Sequence, residues 1–172
     1  EAFDAVIVGT PPDTHLAVAR AELSAANPPR VMMIEKPLCR PDLAECADLD
    51  ALQRGGRTRI LVGYNHRLTK QTEKAAELIR SGFLGKVSLI HAGFEEHWAG
   101  IFTAHPWLNG PSSSYLGYSA RGGGASGEHS HALNLWLHFA DLAGAGSVTE
   151  VTAVMDRSTE DGAEYDRWCH VL

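Results

Sequence analysis

Apolar residues fall first into short unbroken runs and only later into helical spacing. Phe3-Asp-Ala-Val-Ile-Val8 ends in Gly9-Thr10-Pro11-Pro12, a β-branched strand followed by a turn. Asp13 is placed to cap a helix reaching about Ala26, with Leu16, Ala19, Ala21 and Leu23 toward its inner side and Asn27-Pro28-Pro29 to stop it. Val31-Met-Met-Ile34 is a second run, continuous in the manner of a strand covered on both faces. Pro41 opens a helix that ends near Gly55-Gly56, and Arg59 to Tyr64 gives a third strand. Strand, helix, strand, helix, strand predicts an α/β doubly wound unit, because parallel neighbours need helical crossovers.

The pattern changes after Asn65. Thr69 to Ser81 reads as a helix closed by Gly82, with Ala75, Ala76, Leu78 and Ile79 as its apolar face. Lys86 to Phe94 reads as a long strand, and 95–121 as an irregular stretch rich in aromatic, Gly and Ser residues, a length usually functional or mobile. Gly122-Gly123-Gly124 leads into a helix from about Glu128 to Leu142, and the runs Val148–Met155 and Tyr165–Leu172 read as strands. This second part predicts an α+β arrangement. The chain opens without Met, enters a strand within a few residues and stops inside a strand-like run. That is the expectation for a piece of a longer protein, since sheet edges left open are costly.

Composition narrows the function classes. Hydrophobic residues make up 44% and charged residues 21%, ordinary for a globular chain. A net charge of −6 offers no basic field for nucleic acid or anionic lipid. The longest apolar runs are about strand length, short of the ~20 residues that span a bilayer. No leader pattern is visible at the start. Cys39, Cys46 and Cys169 form an odd set without CxxC spacing, which fits small buried residues in a reducing cytoplasm rather than a disulfide framework.

Two groups of residues could carry chemistry. Glu35-Lys36-Pro37 follows the buried second strand directly, with Thr10-Pro11-Pro12 at the same end of its neighbour. Open α/β sheets place ligands outside the carboxyl ends of their strands, and a lysine there can donate to a hydroxyl or carbonyl. A surface Glu–Lys pair before a turn proline is the plain alternative. The second group is Glu128, His129, His131, Asn134 and His138. On one continuous helix, Glu128, His131, Asn134 and His138 share a face, where a carboxylate can orient an imidazole for acid–base work. The alternative is a polar helix start with solvated histidines. His97 and His105 could join Glu128, His129 and His131 around zinc, but i and i+2 on a helix diverge, so no metal is expected. Trp98, Trp107, Tyr115 and Tyr118 suit stacking on a sugar or nicotinamide ring, and suit sheet packing equally.

Together these segments resemble the glucose–fructose oxidoreductase / inositol dehydrogenase / MocA-like (Gfo/Idh/MocA) family. The matching stretches are Asp4 to His15, Met33-Ile-Glu-Lys-Pro-Leu38, Leu61-Val-Gly-Tyr-Asn-His-Arg67, Leu78 to Lys86, and Gly122-Gly-Gly-Ala through His131-Ala-Leu-Asn134, in family order over nearly the whole chain. The resemblance implies an oxidoreductase that uses NAD or NADP on a sugar, polyol or related hydroxy compound and is homo-oligomeric in its full-length form. It implies residues 1–65 as the second half of a Rossmann-type domain and residues 66–172 as part of an α+β domain with an open, largely antiparallel sheet. Lys36 and His131 are the implied catalytic residues, with Glu128 as a possible orienter. Thr10, Pro11, Pro12, His15, Glu35, Lys36, Pro37, Asn65 and Trp107 are the implied cofactor-lining residues, and Arg67, His129 and Asn134 the substrate-side ones. The Lys36-Pro37 bond is a candidate cis bond, as in relatives.

There are departures. The family's aspartate four residues before the histidine is Gly127 here, and its aspartate three residues after is Asn134. No GxGxxG follows a strand, so the pyrophosphate-binding first βαβ unit is missing from these residues. The chain alone is expected to be inactive. The rival readings are a metal-dependent hydrolase or isomerase built on the histidines, and a non-catalytic sugar- or cofactor-binding relative.

Overall fold

A computed structural model of the chain describes residues 3–172. The first part alternates as the apolar runs require: β1 (Ala5–Val8), α1 (Pro12–Leu23), β2 (Val31–Ile34), α2 (Cys46–Gly55) and β3 (Arg59–Val62). The three strands form one parallel sheet in the order β1-β2-β3, with Val8 level with Ile34 and Ile34 level with Val62. Strand ends therefore align, and the turns after β1 and β2 emerge side by side. Val8, Leu16, Ala19, Met32, Ile34 and Leu49 make the core between this sheet and its helices. The sheet is covered on one face only among the described residues. Ile7 is 69% and Leu61 43% exposed on the other, so the double covering expected of β2 is not found here.

Several predicted boundaries move, each for a local reason. Asp13 does not cap α1: Pro11 is the cap residue, extended at φ −60° and ψ 149°, and Asp13 lies in the first turn. The helix closes at Ser24, where a main-chain N–H returns to Arg20 O, so Ala26 lies beyond it; Ala21 is exposed. The helix expected from Pro41 begins at Cys46, because Leu43 takes a left-handed φ of 54° that a helix cannot continue.

The second part holds α3 (Lys70–Arg80), α4 (Trp98–Ala104), α5 (Gly124–Glu128), α6 (His131–Leu142), β4 (Ala153–Glu160) and β5 (Ala163–Val171). Thr69 caps α3 by accepting from Thr72 N–H, and Ala76 is buried on the predicted apolar face. The strand expected over Lys86–Phe94 is absent: the segment has no strand neighbour among the described residues to supply a ladder. The irregular 95–121 stretch contains one short helix and three 3-10 turns. The strand expected from Val148 begins at Ala153 and pairs antiparallel with β5. The helix expected from Glu128 to Leu142 is two helices, broken at His129-Ser130.

Candidate active site

The site forms where the turn after β2 meets the turn between α5 and α6. Ile34 is buried and anchors the strand end. Glu35 then folds back, its carboxylate accepting from Lys36 N–H at 3.3 Å and lying over Gly63, where a Cβ would come within 2.9 Å of Oε2. Lys36 goes the other way. Its Nζ donates to Glu128 O at 2.8 Å and to Glu128 Oε2 at 3.0 Å. The Lys36–Pro37 peptide is cis.

Glycines make this approach possible. Gly122 has a left-handed φ of 92°, and an added Cβ would lie 2.8 Å from Pro12 Cβ and 3.4 Å from Pro37 Cγ. The turn thus rests on two proline rings of the first part. Beside it Arg121 Nε donates to Asp13 Oδ2 at 2.6 Å. Gly127 packs on Gly122 O, where no Cβ fits. No side chain has room at this position, and the carboxylate that meets Lys36 is that of the next residue, Glu128. Gly122, Gly124 and Gly127 have the spacing of GxGxxG, but they follow 3-10 turns, and all three face packed atoms of the chain itself.

His131 starts α6 and is buried. Its ring lies 4.3 Å from that of His66, 5.7 Å from Tyr64 and 6.0 Å from Phe94. Burial, reinforced by the charges of His66 and Lys36, pulls its pKa down to about 4 against the partial support of Glu128. The ring is therefore neutral near pH 7, with Nδ1 buried and without a hydrogen-bond partner. Tyr115 completes the cluster. Burial and the neighbouring Glu128 and Glu35 carboxylates push its hydroxyl up to about 12. In the sequence Tyr115 stands only among the loop aromatics, and its position just before the glycine turn is the one local signal of its place here.

Lys36, Glu128, His131 and Tyr115 converge, with Glu35 beside them. Thr10 and Pro11 sit exposed at the end of β1, where Thr14 Oγ1 donates to Pro11 O at 2.8 Å. Pro12 is buried under Gly122. His15 is buried within the first part, its ring nitrogens on Pro37 O at 3.0 Å and on Thr10 O. It ties the two strand-end turns together. His129 stacks near Phe94 at 6.5 Å. Asn134 lies one turn along α6 from His131, with Oδ1 buried and unpartnered. Asn65 is exposed in a 3-10 turn. Arg67 is exposed, and its charge bears on His138, two turns beyond His131. Trp107 is exposed, with its ring against His105 at 5.2 Å. Among the described residues, no three His, Cys, Asp or Glu side chains are arranged to hold a metal ion. No helix among the described residues is long and apolar enough to cross a membrane.

No family model matches the chain. A dehydrogenase of 1-carboxy-3-chloro-3,4-dihydroxycyclohexa-1,5-diene from Comamonas testosteroni is 30% identical over 89 residues, which cover 52% of this chain and 21% of that protein. Inositol 2-dehydrogenase 2 of Saccharopolyspora erythraea is 30% identical over 89 residues, covering 52% and 25%. The match thus spans about a quarter or less of either relative. An inositol dehydrogenase homolog from Azotobacter vinelandii, solved with NADH and myo-inositol, superposes with a TM-score of 0.63 at 24% identity, over 95% of this chain and 43% of that one. The chain is thus similar in sequence to two dehydrogenases and shares its fold with an inositol dehydrogenase homolog.

Proposed function

We propose that the chain supplies the nicotinamide-end half of the active site of an NAD(P)-dependent oxidoreductase, which interconverts a hydroxyl and a carbonyl on a polyol, sugar or related small compound. Residues 1–65 belong to its dinucleotide-binding domain and residues 66–172 to its substrate domain. The observation that carries the reading is the convergence of Lys36, Glu128 and His131 beside the aligned strand ends, with His131 Nδ1 buried and unpartnered. A buried polar atom left open is costly, and a ligand hydroxyl would satisfy it. The names of the two dehydrogenase relatives, and the NADH and myo-inositol in the Azotobacter structure, support the same class.

In this reading the nicotinamide ring would be held at the strand-end turns by Thr10, Pro11, Glu35 and Lys36; when bound, the dinucleotide would supply the hydride acceptor or donor. The remaining chemistry belongs to the chain. Lys36 has three ammonium hydrogens, and Glu128 takes two. The third is free for a ligand oxygen and stabilises negative charge developing there. Glu128 keeps that ammonium oriented. His131, neutral and with its proton on Nε2, offers Nδ1 to accept the hydroxyl proton during oxidation and returns it during reduction.

The test is turnover by the full-length protein with NAD or NADP over a panel of polyols and sugars, followed by nicotinamide absorbance. Lys36→Ala and His131→Ala each lower kcat by about 10²–10⁴ if these groups handle the proton. Unchanged turnover in both variants would overturn the assignment, and dinucleotide binding without turnover in the wild type would favour the non-catalytic reading.

A further inference from the structure

Asp166 on β5 is 0% exposed. A buried carboxylate is tolerated when its oxygens are filled, and one short segment fills these. Ser119 and Ser126 hydroxyls donate to Oδ1 at 2.9 and 3.1 Å, and Ser126 N–H donates to Oδ2 at 2.7 Å. Ser119 Oγ accepts in turn from Asp166 N–H at 3.2 Å, closing a ring. The two serines bracket the glycine turn. Gly124, with a φ of 77°, lies directly against Asp166 Oδ1, where any Cβ would overlap the carboxylate. From there α5 runs only to Glu128. So short a helix has little stability of its own, and what holds Ser126 sets the place of Glu128.

We propose that Asp166 is a positioning residue for the Lys36–Glu128–His131 cluster. Its carboxylate clamps the turn from Ser119 to Ser126, and the clamp fixes where Glu128 presents its main-chain and side-chain oxygens to Lys36 and where His131 enters α6. The effect passes through Ser119, Ser126 and Gly124. A distant strand thereby controls a site to which its own sequence gives no clue. The inference rests on the reading above only in treating the cluster as an active site.

The experiment uses the Asp166→Ala, Asp166→Asn and paired Ser119→Ala/Ser126→Ala variants of the chain. Two readouts need no turnover: the titration midpoint of His131 by proton NMR, and the rate at which an amine reagent modifies Lys36, read by mass spectrometry. His131 is faced by His66, Lys36, Glu128 and His129, so loosening the clamp rehydrates the ring and changes its charged surroundings. In Asp166→Ala the midpoint rises by about one pH unit or more toward the ordinary imidazole range, and Lys36 modification accelerates severalfold. Asp166→Asn can still accept from Ser126 N–H while donating to the serine oxygens, so it stays near wild type. The serine pair falls between. If Asp166→Ala does not fold, the serine pair decides. A folded variant that loses thermal stability yet keeps both readouts at wild-type values would show a merely structural residue and overturn the proposal. Because neither readout requires hydride transfer, this test can fail while the oxidoreductase reading stands, and the reverse.

Discussion

Lys36 and Glu128 are 92 residues apart in sequence and meet twice, Nζ donating to the main-chain oxygen and to the carboxylate of the same residue. The geometry has a simple cause. Glu128 is the last residue of α5, and helix carbonyls at that end lack partners and carry partial negative charge. A lysine from the neighbouring strand end satisfies both the helix terminus and the side chain.

The two side chains are only 14% and 24% exposed, so this pair is worth more than a surface salt bridge. Lys36→Met strands the Glu128 carboxylate and is expected to lower stability by about 1–3 kcal/mol. Glu128→Gln keeps the main-chain acceptor and should cost less. Urea unfolding of both single variants and the double variant should show a coupling of about 1 kcal/mol or more; additivity within about 0.3 kcal/mol would mean the pair does not form in solution.

Gly122 joins the two parts of the chain and is doubly constrained, by its left-handed φ of 92° and by the Pro12 ring 2.8 Å from where a Cβ would lie. Gly122→Ala is expected to cost about 2–4 kcal/mol, the sum of backbone strain and overpacking. It should also raise Lys36 reactivity, because the turn must lift off Pro12. A loss below about 0.5 kcal/mol would show that the turn does not rest on the proline rings in solution.

These sites differ in how far they could be read from sequence. Glu35-Lys36-Pro37 was legible because an unbroken apolar run fixes a strand, and a strand end in an α/β sheet faces a crevice. The residue types at Glu128 and His131 were legible too, but not their geometry. Helical periodicity assumes a continuous helix, and the break at His129-Ser130 is set by packing around the glycine turn. Tyr115 and Asp166 act through contacts remote in sequence, the latter reaching Ser119 across 47 residues, and no local spacing encodes such contacts. Lys86–Phe94 shows the opposite failure: its composition suits a strand, yet a strand needs a neighbour to bond.

His131 gives a pH signature with a definite sign. Its folded-state pKa is lowered from 6.5 to about 4, so between those values the unfolded chain binds more protons than the folded one. Its contribution is complete above pH 6.5, and stability is lost as pH falls toward 4. The same direction holds for His138, whose pKa is also lowered by burial and by Arg67 and Arg80. Melting temperature should therefore fall over this window, and less steeply in His131→Gln. Parallel slopes in the two proteins would show that His131 is not buried neutral.

Tight binding through a Rossmann crevice relies on a glycine-rich turn and helix N-terminus that cradle the pyrophosphate. In this chain no GxGxxG follows a strand, and the glycines at 122, 124 and 127 are occupied by Pro12, Asp166 and Gly122 O. On the proposed reading, the chain contributes only the nicotinamide end of the site, at Thr10, Pro11, Glu35 and Lys36. Calorimetric titration of the 172-residue chain should then give NADH and reduced nicotinamide mononucleotide similar affinities, both weaker than micromolar, since the adenylate half adds little. Micromolar NADH with the mononucleotide more than about tenfold weaker, roughly 1.4 kcal/mol, would reveal a pyrophosphate site within these residues. It would also place pyrophosphate binding at the turn beside Lys36.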